Sequence, residues 1–167
     1  VLYIRPSEGE HEVYRVTIEE FCRICELYYN STGDTKKDAG LRLMRQIKLL
    51  IKACSVPHLI SGYYGEDYPS KTRYIETLIR KIPGKVAIGC TTIAAFDLYE
   101  SYIRERFPDR QIYVVKGDVA FKKRQSIVTE FDPTINGILI CTQQSLSSSV
   151  NIPTCNDVIL ESLQWNI

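Results

Sequence analysis

The chain has 167 residues, of which 44% are hydrophobic and 25% charged, and its net charge is +1 at neutral pH. That size suits one domain, or one with an appended subdomain, and supplies enough apolar material for a true core. Near-zero charge excludes a whole-molecule pull toward nucleic acid or membrane, so any such contact rests on a local patch.

No apolar run reaches the roughly 18 to 20 residues of a helical membrane span. The first residues lack a basic and then apolar leader pattern. The expectation is an intracellular protein without membrane contact, cytoplasmic in preference to nucleoid or nuclear. Six cysteines, at 22, 25, 54, 90, 141 and 155, lie mostly within apolar segments, where a reduced thiol acts as a small hydrophobe.

In chain order, "TIEEFCRICELYYN" predicts a first helix from Thr17 to Asn30, with Thr17 as its N-cap and Ile18, Phe21, Cys25 and Tyr28 on one face. "KKDAGLRLMRQIKLLIKAC" predicts a second, with Leu41, Met44, Ile47, Ile51 and Cys54 inward and a basic stripe of Arg42, Arg45, Lys48 and Lys52 beside them. After "SGYYGEDYP", Ser70 caps a third predicted helix that runs to Lys81 and turns Ile75, Leu78, Ile79 and Ile82 inward.

Beyond Pro83-Gly84 the texture changes. Strands "KVAIGC", "QIYVV", "GILICT" and "DVILE" alternate with helices over 93–107 and 119–131 and with a loop after the third strand. Continuous apolar strands joined in this order predict an α/β fold, a parallel sheet with helices on both faces. The chain thus divides into a helical lead-in, 1–82, and an α/β core, 83–167.

Two motifs point elsewhere. "GEDYPSKT", Gly65 to Thr72, approaches a phosphate-binding loop, with Lys71 as its lysine, and would make a small nucleotide-binding enzyme. Ser70 stands where the second glycine belongs, and Pro69 withdraws an N–H donor, so the helix-cap reading is preferred. Cys22 and Cys25 form a single C-x-x-C without a second ligand pair, so no metal site is predicted.

In parallel sheets, ligands sit beyond the carboxyl ends of the strands. There the sequence has Thr91-Thr92, then "KGD" from Lys116 to Asp118, then "QQSLSSSVN" from Gln143 to Asn151, and finally "SLQWN". Hydroxyls, amides and a lysine at successive strand ends can donate to phosphate oxygens without reading bases. Each such serine or threonine taken singly is ordinary loop punctuation.

Taken in order, these segments resemble the second RecA-like lobe of superfamily-two helicase-type ATPases, in particular the Swi/Snf-type DNA translocases. "LRLMRQIKLLIKACSVPHLI" and "SKTRYIETLIRKIPGKVAIGCTTIAAFDLYESYI" are similar to that lobe's early helices and first strand region. "VVKGDVAFKKRQSIVTEF" carries the family's glycine, arginine and closing phenylalanine as Gly117, Arg124 and Phe131. "ILICTQQSLSSSVNIPTCNDVILESLQWN" resembles motif V and the strand ending in Trp-Asn. Leu146, Ser147, Ser148 and Ser149 occupy the positions of the family's Gly-Gly-x-Gly loop, and Ser162 and Gln164 replace its acidic residues.

The resemblance implies the C-terminal lobe of a DNA-dependent ATPase, preceded here by a helical segment. It implies contact with the nucleic-acid backbone through Thr91, Thr92, Lys116, Gly117, Arg124, Ser145 and Ser147, with Asn151 ordering motif V at the cleft between lobes. ATP and magnesium would be held mainly by an N-terminal lobe, and the arginine fingers by a helix after Ile167, which leaves the α/β core incomplete at its C-terminus. This chain would then hold no catalytic residue, cofactor or metal and be inactive alone. The alternatives are an RNA or strand-separating helicase lobe of the same superfamily and a non-catalytic α/β interaction domain.

Overall fold

The computed structural model describes residues 3–117, 119–147 and 152–162. They form six helices, α1 (Glu8–Asn30), α2 (Gly33–Ser55), α3 (Ser70–Lys81), α4 (Ile93–Arg106), α5 (Phe121–Phe131) and α6 (Gln143–Ser147), and four strands, β1 (Val86–Cys90), β2 (Ile112–Val115), β3 (Ile138–Thr142) and β4 (Asp157–Leu160). One compact unit spans Val1–Lys71 and the other Thr72–Ile167. The contact boundary falls at 71/72; the line at 82/83 marks where strands begin to alternate with helices.

In the first unit, α1 starts well before Thr17. Ser7 and Glu10 form a capping box: the Ser7 hydroxyl accepts from the Glu10 N–H at 3.4 Å and the Glu10 carboxylate accepts from the Ser7 N–H at 2.5 Å. Thr17 is therefore buried in mid-helix, where its hydroxyl donates to the Val13 carbonyl at 2.6 Å instead of capping. Arg15 with Glu12 and Glu19, and Arg23 with Glu20, line the solvent side with short-range ion pairs.

The second helix pairs with α1 through small and polar residues. Ala39, Gln46 and Ala53 are buried, and the Gln46 side-chain amide donates to the Thr17 carbonyl at 2.9 Å. The face expected inward fails in part: Leu41 and Met44 are 63% and 58% exposed, and Cys54 is exposed. A pair of helices approaches closely where side chains are short, so the larger apolar residues are left outside that seam.

Ser70 is the first residue of α3. Its N–H and hydroxyl both donate to the Glu10 carboxylate, at 2.7 and 2.6 Å. One carboxylate thus serves two helix starts.

In the second unit the sheet is parallel throughout, in the order β2-β3-β1-β4. The central strands are buried along their full length, Val86 opposite Ile138 and Cys90 opposite Thr142. Ala87, Val115, Phe131, Leu139 and Cys141 pack as one cluster. Phe96, Tyr99 and Ile103 of α4 are also at most 1% exposed.

Three expectations change. The strand β4 lies at the sheet's edge with Val158 and Leu160 56% and 50% exposed, so its apolar run is not covered on both faces. The segment after β3 is not all loop, since its first five residues coil as α6. α5 also starts at Phe121 instead of Val119.

Candidate functional site

Because all four strands run the same way, their carboxyl ends and the residues that follow share one edge of the sheet. The connections leaving the two central strands run in opposite directions, β1 toward β2 and β3 toward β4. This is the arrangement that opens a crevice for a ligand in parallel sheets.

After β1, Thr92 is the N-cap of α4, its hydroxyl accepting from the Ala95 N–H at 3.1 Å. Thr91 donates to the Ser162 carbonyl at 3.2 Å. After β2, the Lys116 ammonium sits 2.8 Å from the Asp97 carboxylate and 4.9 Å from the Phe96 ring centre, with its side chain still 40% exposed. Gly117 is exposed, and Arg124 folds back on this loop, donating to the carbonyls of Val119 at 2.6 Å and Gly117 at 3.3 Å.

After β3, the hydroxyls of Thr142 and Ser145 share a hydrogen bond of 2.6 Å, and Ser145 is only 1% exposed. Gln143 sends its side-chain amide across to the ends of β1 and β4. After β4, the Glu161 N–H donates to the Gly89 carbonyl at 2.9 Å, and the buried Glu161 carboxylate accepts from the Ser162 hydroxyl at 3.0 Å.

The fold therefore brings Thr91, Thr92, Lys116, Gly117, Arg124 and Ser145 to one edge, in different roles. Thr92, Arg124 and Ser145 use polar atoms to shape the edge. Lys116 and Gly117 reach solvent, as do Phe121, Lys122 and Lys123 at the start of α5. Ser147 is described in its backbone alone, as the last residue of α6. Asn151 and Trp165 lie outside the described residues.

Gln143 and Asp97 were not singled out from sequence. The only signal for Gln143 was its place directly after the apolar run of β3. Asp97 carried none, because its partner lies at the end of another strand.

The chemistry available here is recognition. Burial pushes the Cys141 thiol up to about 12, its hydrogen being donated to the Ile88 carbonyl. Burial also raises Cys90 and Tyr99, and the nearby Glu161 adds to both shifts. These groups stay protonated at neutral pH. What the edge offers an anion is the Lys116 ammonium, backbone at Gly117 and the cations of α5.

The loop "GEDYPSKT" has another geometry from a phosphate cradle. The nearest element before it is a single turn, Pro57–Leu59, and Ser70 is committed to the Glu10 carboxylate. Among the described residues, no three His, Cys, Asp or Glu side chains gather as a metal-ligand set.

Residues 70–167 match the helicase conserved C-terminal domain model. No curated protein matches the chain. Among solved structures, the Sulfolobus solfataricus SWI2/SNF2 ATPase C-terminal domain superposes with a TM-score of 0.72 at 18% identity, over 99% of this chain and 72% of that one. The C-terminal part of the Fun30 ATPase domain gives 0.72 at 13%, over 98% and 74%. The Sulfolobus solfataricus SWI2/SNF2 ATPase core in complex with dsDNA gives 0.75 at 17%, over 99% of this chain and 35% of that one.

Proposed function

Because this chain belongs to the helicase conserved C-terminal domain family, we propose that it is the second lobe of a nucleic-acid-dependent ATPase that translocates on duplex DNA. Its sheet edge grips the sugar-phosphate backbone. An N-terminal lobe supplies the phosphate-binding loop and the carboxylates that hold ATP and magnesium, and closure of the lobes drives movement. The likeness to a SWI2/SNF2 ATPase core in complex with dsDNA favours duplex DNA over RNA as the track.

The observation that carries this reading is the edge itself, where the ends of β1, β3 and β4 are tied by hydrogen bonds while Lys116 and Gly117, after β2, remain at the surface. A duplex backbone needs donors and cations at fixed spacing and no base readout. Lys122 and Lys123 extend the positive charge, and neither makes an ion pair among the described residues. Arg124 acts beneath this surface by holding the loop from Gly117 to Val119.

Hydrolysis needs a phosphate cradle, a magnesium site and arginine fingers. The near match to a cradle, "GEDYPSKT", has Ser70 bonded to the Glu10 carboxylate, and in this reading the other lobe supplies the cradle. The test is Lys116→Ala and Arg124→Ala in the protein carrying both lobes. Lys116→Ala weakens DNA binding and reduces the salt dependence by about one counterion. Arg124→Ala lowers DNA-stimulated ATPase about tenfold, the scale of a lost charge-assisted hydrogen bond. Unchanged stimulation in both variants refutes the proposal, and stimulation by RNA alone moves the assignment to an RNA-directed lobe.

A further inference from the structure

Gln143 takes no part in the contacts proposed above. It is the first residue after β3, and its side-chain amide nitrogen donates to the Thr91 hydroxyl at 3.2 Å, to the Gly89 carbonyl at 3.5 Å and to the Ser162 carbonyl. These acceptors belong to the ends of two other strands: Gly89 is in β1, Thr91 follows it, and Ser162 follows β4.

The remaining bonds close the network. The Thr91 hydroxyl donates to the same Ser162 carbonyl at 3.2 Å, and the Glu161 N–H donates to the same Gly89 carbonyl at 2.9 Å. Gln143 is thus a side chain through which the segment after β3 holds the exits of β1 and β4. A neutral amide suits the place, since it presents hydrogens to oxygens that a carboxylate would repel.

We infer that Gln143 is a positioning residue that ties the start of the segment after β3 to the ends of β1 and β4, so that the sheet edge carrying the proposed nucleic-acid contacts responds as one piece. This rests on the function proposed above and adds to it a specific mechanical element. Gln143 acts through its protein partners, by making three strand ends move as one.

The experiment compares Gln143→Ala with Gln143→Met, which keeps the length and loses the amide. In the protein carrying both lobes, each variant lowers the DNA-stimulated kcat about tenfold. The KM for ATP, the DNA-independent rate and the DNA affinity stay within about threefold, because the contacts themselves are intact. Adding Thr91→Val costs little more, as the two residues share one network. In hydrogen exchange, both single variants lose protection at Glu161 and around Gly89 while the body of β3 stays protected.

Rescue by methionine, or a basal rate that falls in step with the stimulated rate, overturns the inference. So does unchanged protection at Glu161, whatever the activity shows. If the unaltered protein shows no stimulation by any nucleic acid, the proposed function fails; coupling across the edge is then decided by exchange alone.

Discussion

In the helical unit, Val13, Ile24, Ala39, Ala53 and Val56 are buried, while Tyr29, Leu41 and Met44 stand 77%, 63% and 58% exposed. In the α/β unit, Ile88, Phe96, Tyr99, Phe131 and Ile140 all reach 0% exposure. The difference is geometric. A helix laid on one other helix buries a single narrow stripe, whereas a central strand between helices buries its side chains on both faces. Stability is therefore concentrated in the sheet, and the helical unit is held more by polar clamps such as Gln46 and Glu10 than by a large apolar core.

The largest expected effect breaks the sheet side. Phe131 is fully buried against Ala87, Val115, Leu139 and Cys141, and its ring meets Tyr113 edge-on at 5.6 Å. Phe131→Ala removes that packing and leaves a cavity, a loss of about 3–5 kcal/mol. Urea unfolding followed by far-UV circular dichroism measures it. A loss below about 1 kcal/mol would place the main store of stability elsewhere.

Next come two changes in the helical unit, where the clamps are local. A Cβ added at Gly9 would lie 1.6 Å from the Tyr64 carbonyl oxygen, so the loop before α3 must move away from α1. Gly9→Ala therefore costs about 1–3 kcal/mol as an overpacking change, outweighing any gain in helix propensity. At Gly40, where the nearest atom is the Tyr28 ring at 3.4 Å, alanine is accommodated. Equal and opposite melting shifts for the two variants would contradict this only if Gly9→Ala were the stabilising one.

Glu10 gives the smaller, pH-dependent effect. Burial raises its pKa, but hydrogen bonds from Ser70 and Ser7 outweigh burial and hold the carboxylate below the ordinary 4.5. A carboxylate with a lowered folded-state pKa stabilises the fold fully above the unfolded value and less as pH falls through the folded one. The stability curve therefore drops below pH 4.5 in the native chain and more shallowly in Glu10→Gln. At neutral pH that variant loses about 1 kcal/mol, the scale of a lost helix cap. A pH profile identical to the native one would remove Glu10 as the shared clamp.

The same contrast explains what could be read from sequence. The apolar runs around Ile88 and Ile140 are continuous because those central strands are buried along their length, and their positions, like that of the half-buried edge strand at Val114, were legible to within a residue or so. The inward faces of α1 and α2 were not. Helical spacing selects the bulkiest apolar set, while the close seam selects Ala39, Ala53, Thr17 and Gln46. Thr17 reads as a cap in sequence because it precedes the densest apolar stretch; the real start is the Ser7-Glu10 pair, ten residues before it. At the candidate site, strand-end position pointed to the right edge. Burial of Ser145 and the reach of Gln143 depend on sheet register, which local pattern does not encode.

The smallest expected effect sharpens the comparison from its other side. Leu41 and Met44 lie three residues apart on α2 and outside the seam, so replacing both with glutamine removes little buried area. Apolar burial contributes about 25 cal/mol per Å² removed from water, and side chains already more than half exposed have little of it to lose. Glutamine also keeps the helix propensity of the leucine and methionine it replaces. Leu41→Gln with Met44→Gln should leave the unfolding midpoint within about 0.5 kcal/mol of the native chain, in the range of ordinary surface changes. A destabilisation approaching that of Phe131→Ala would mean these side chains are covered when the protein is folded in solution, and the helical unit would then owe its stability to apolar packing after all.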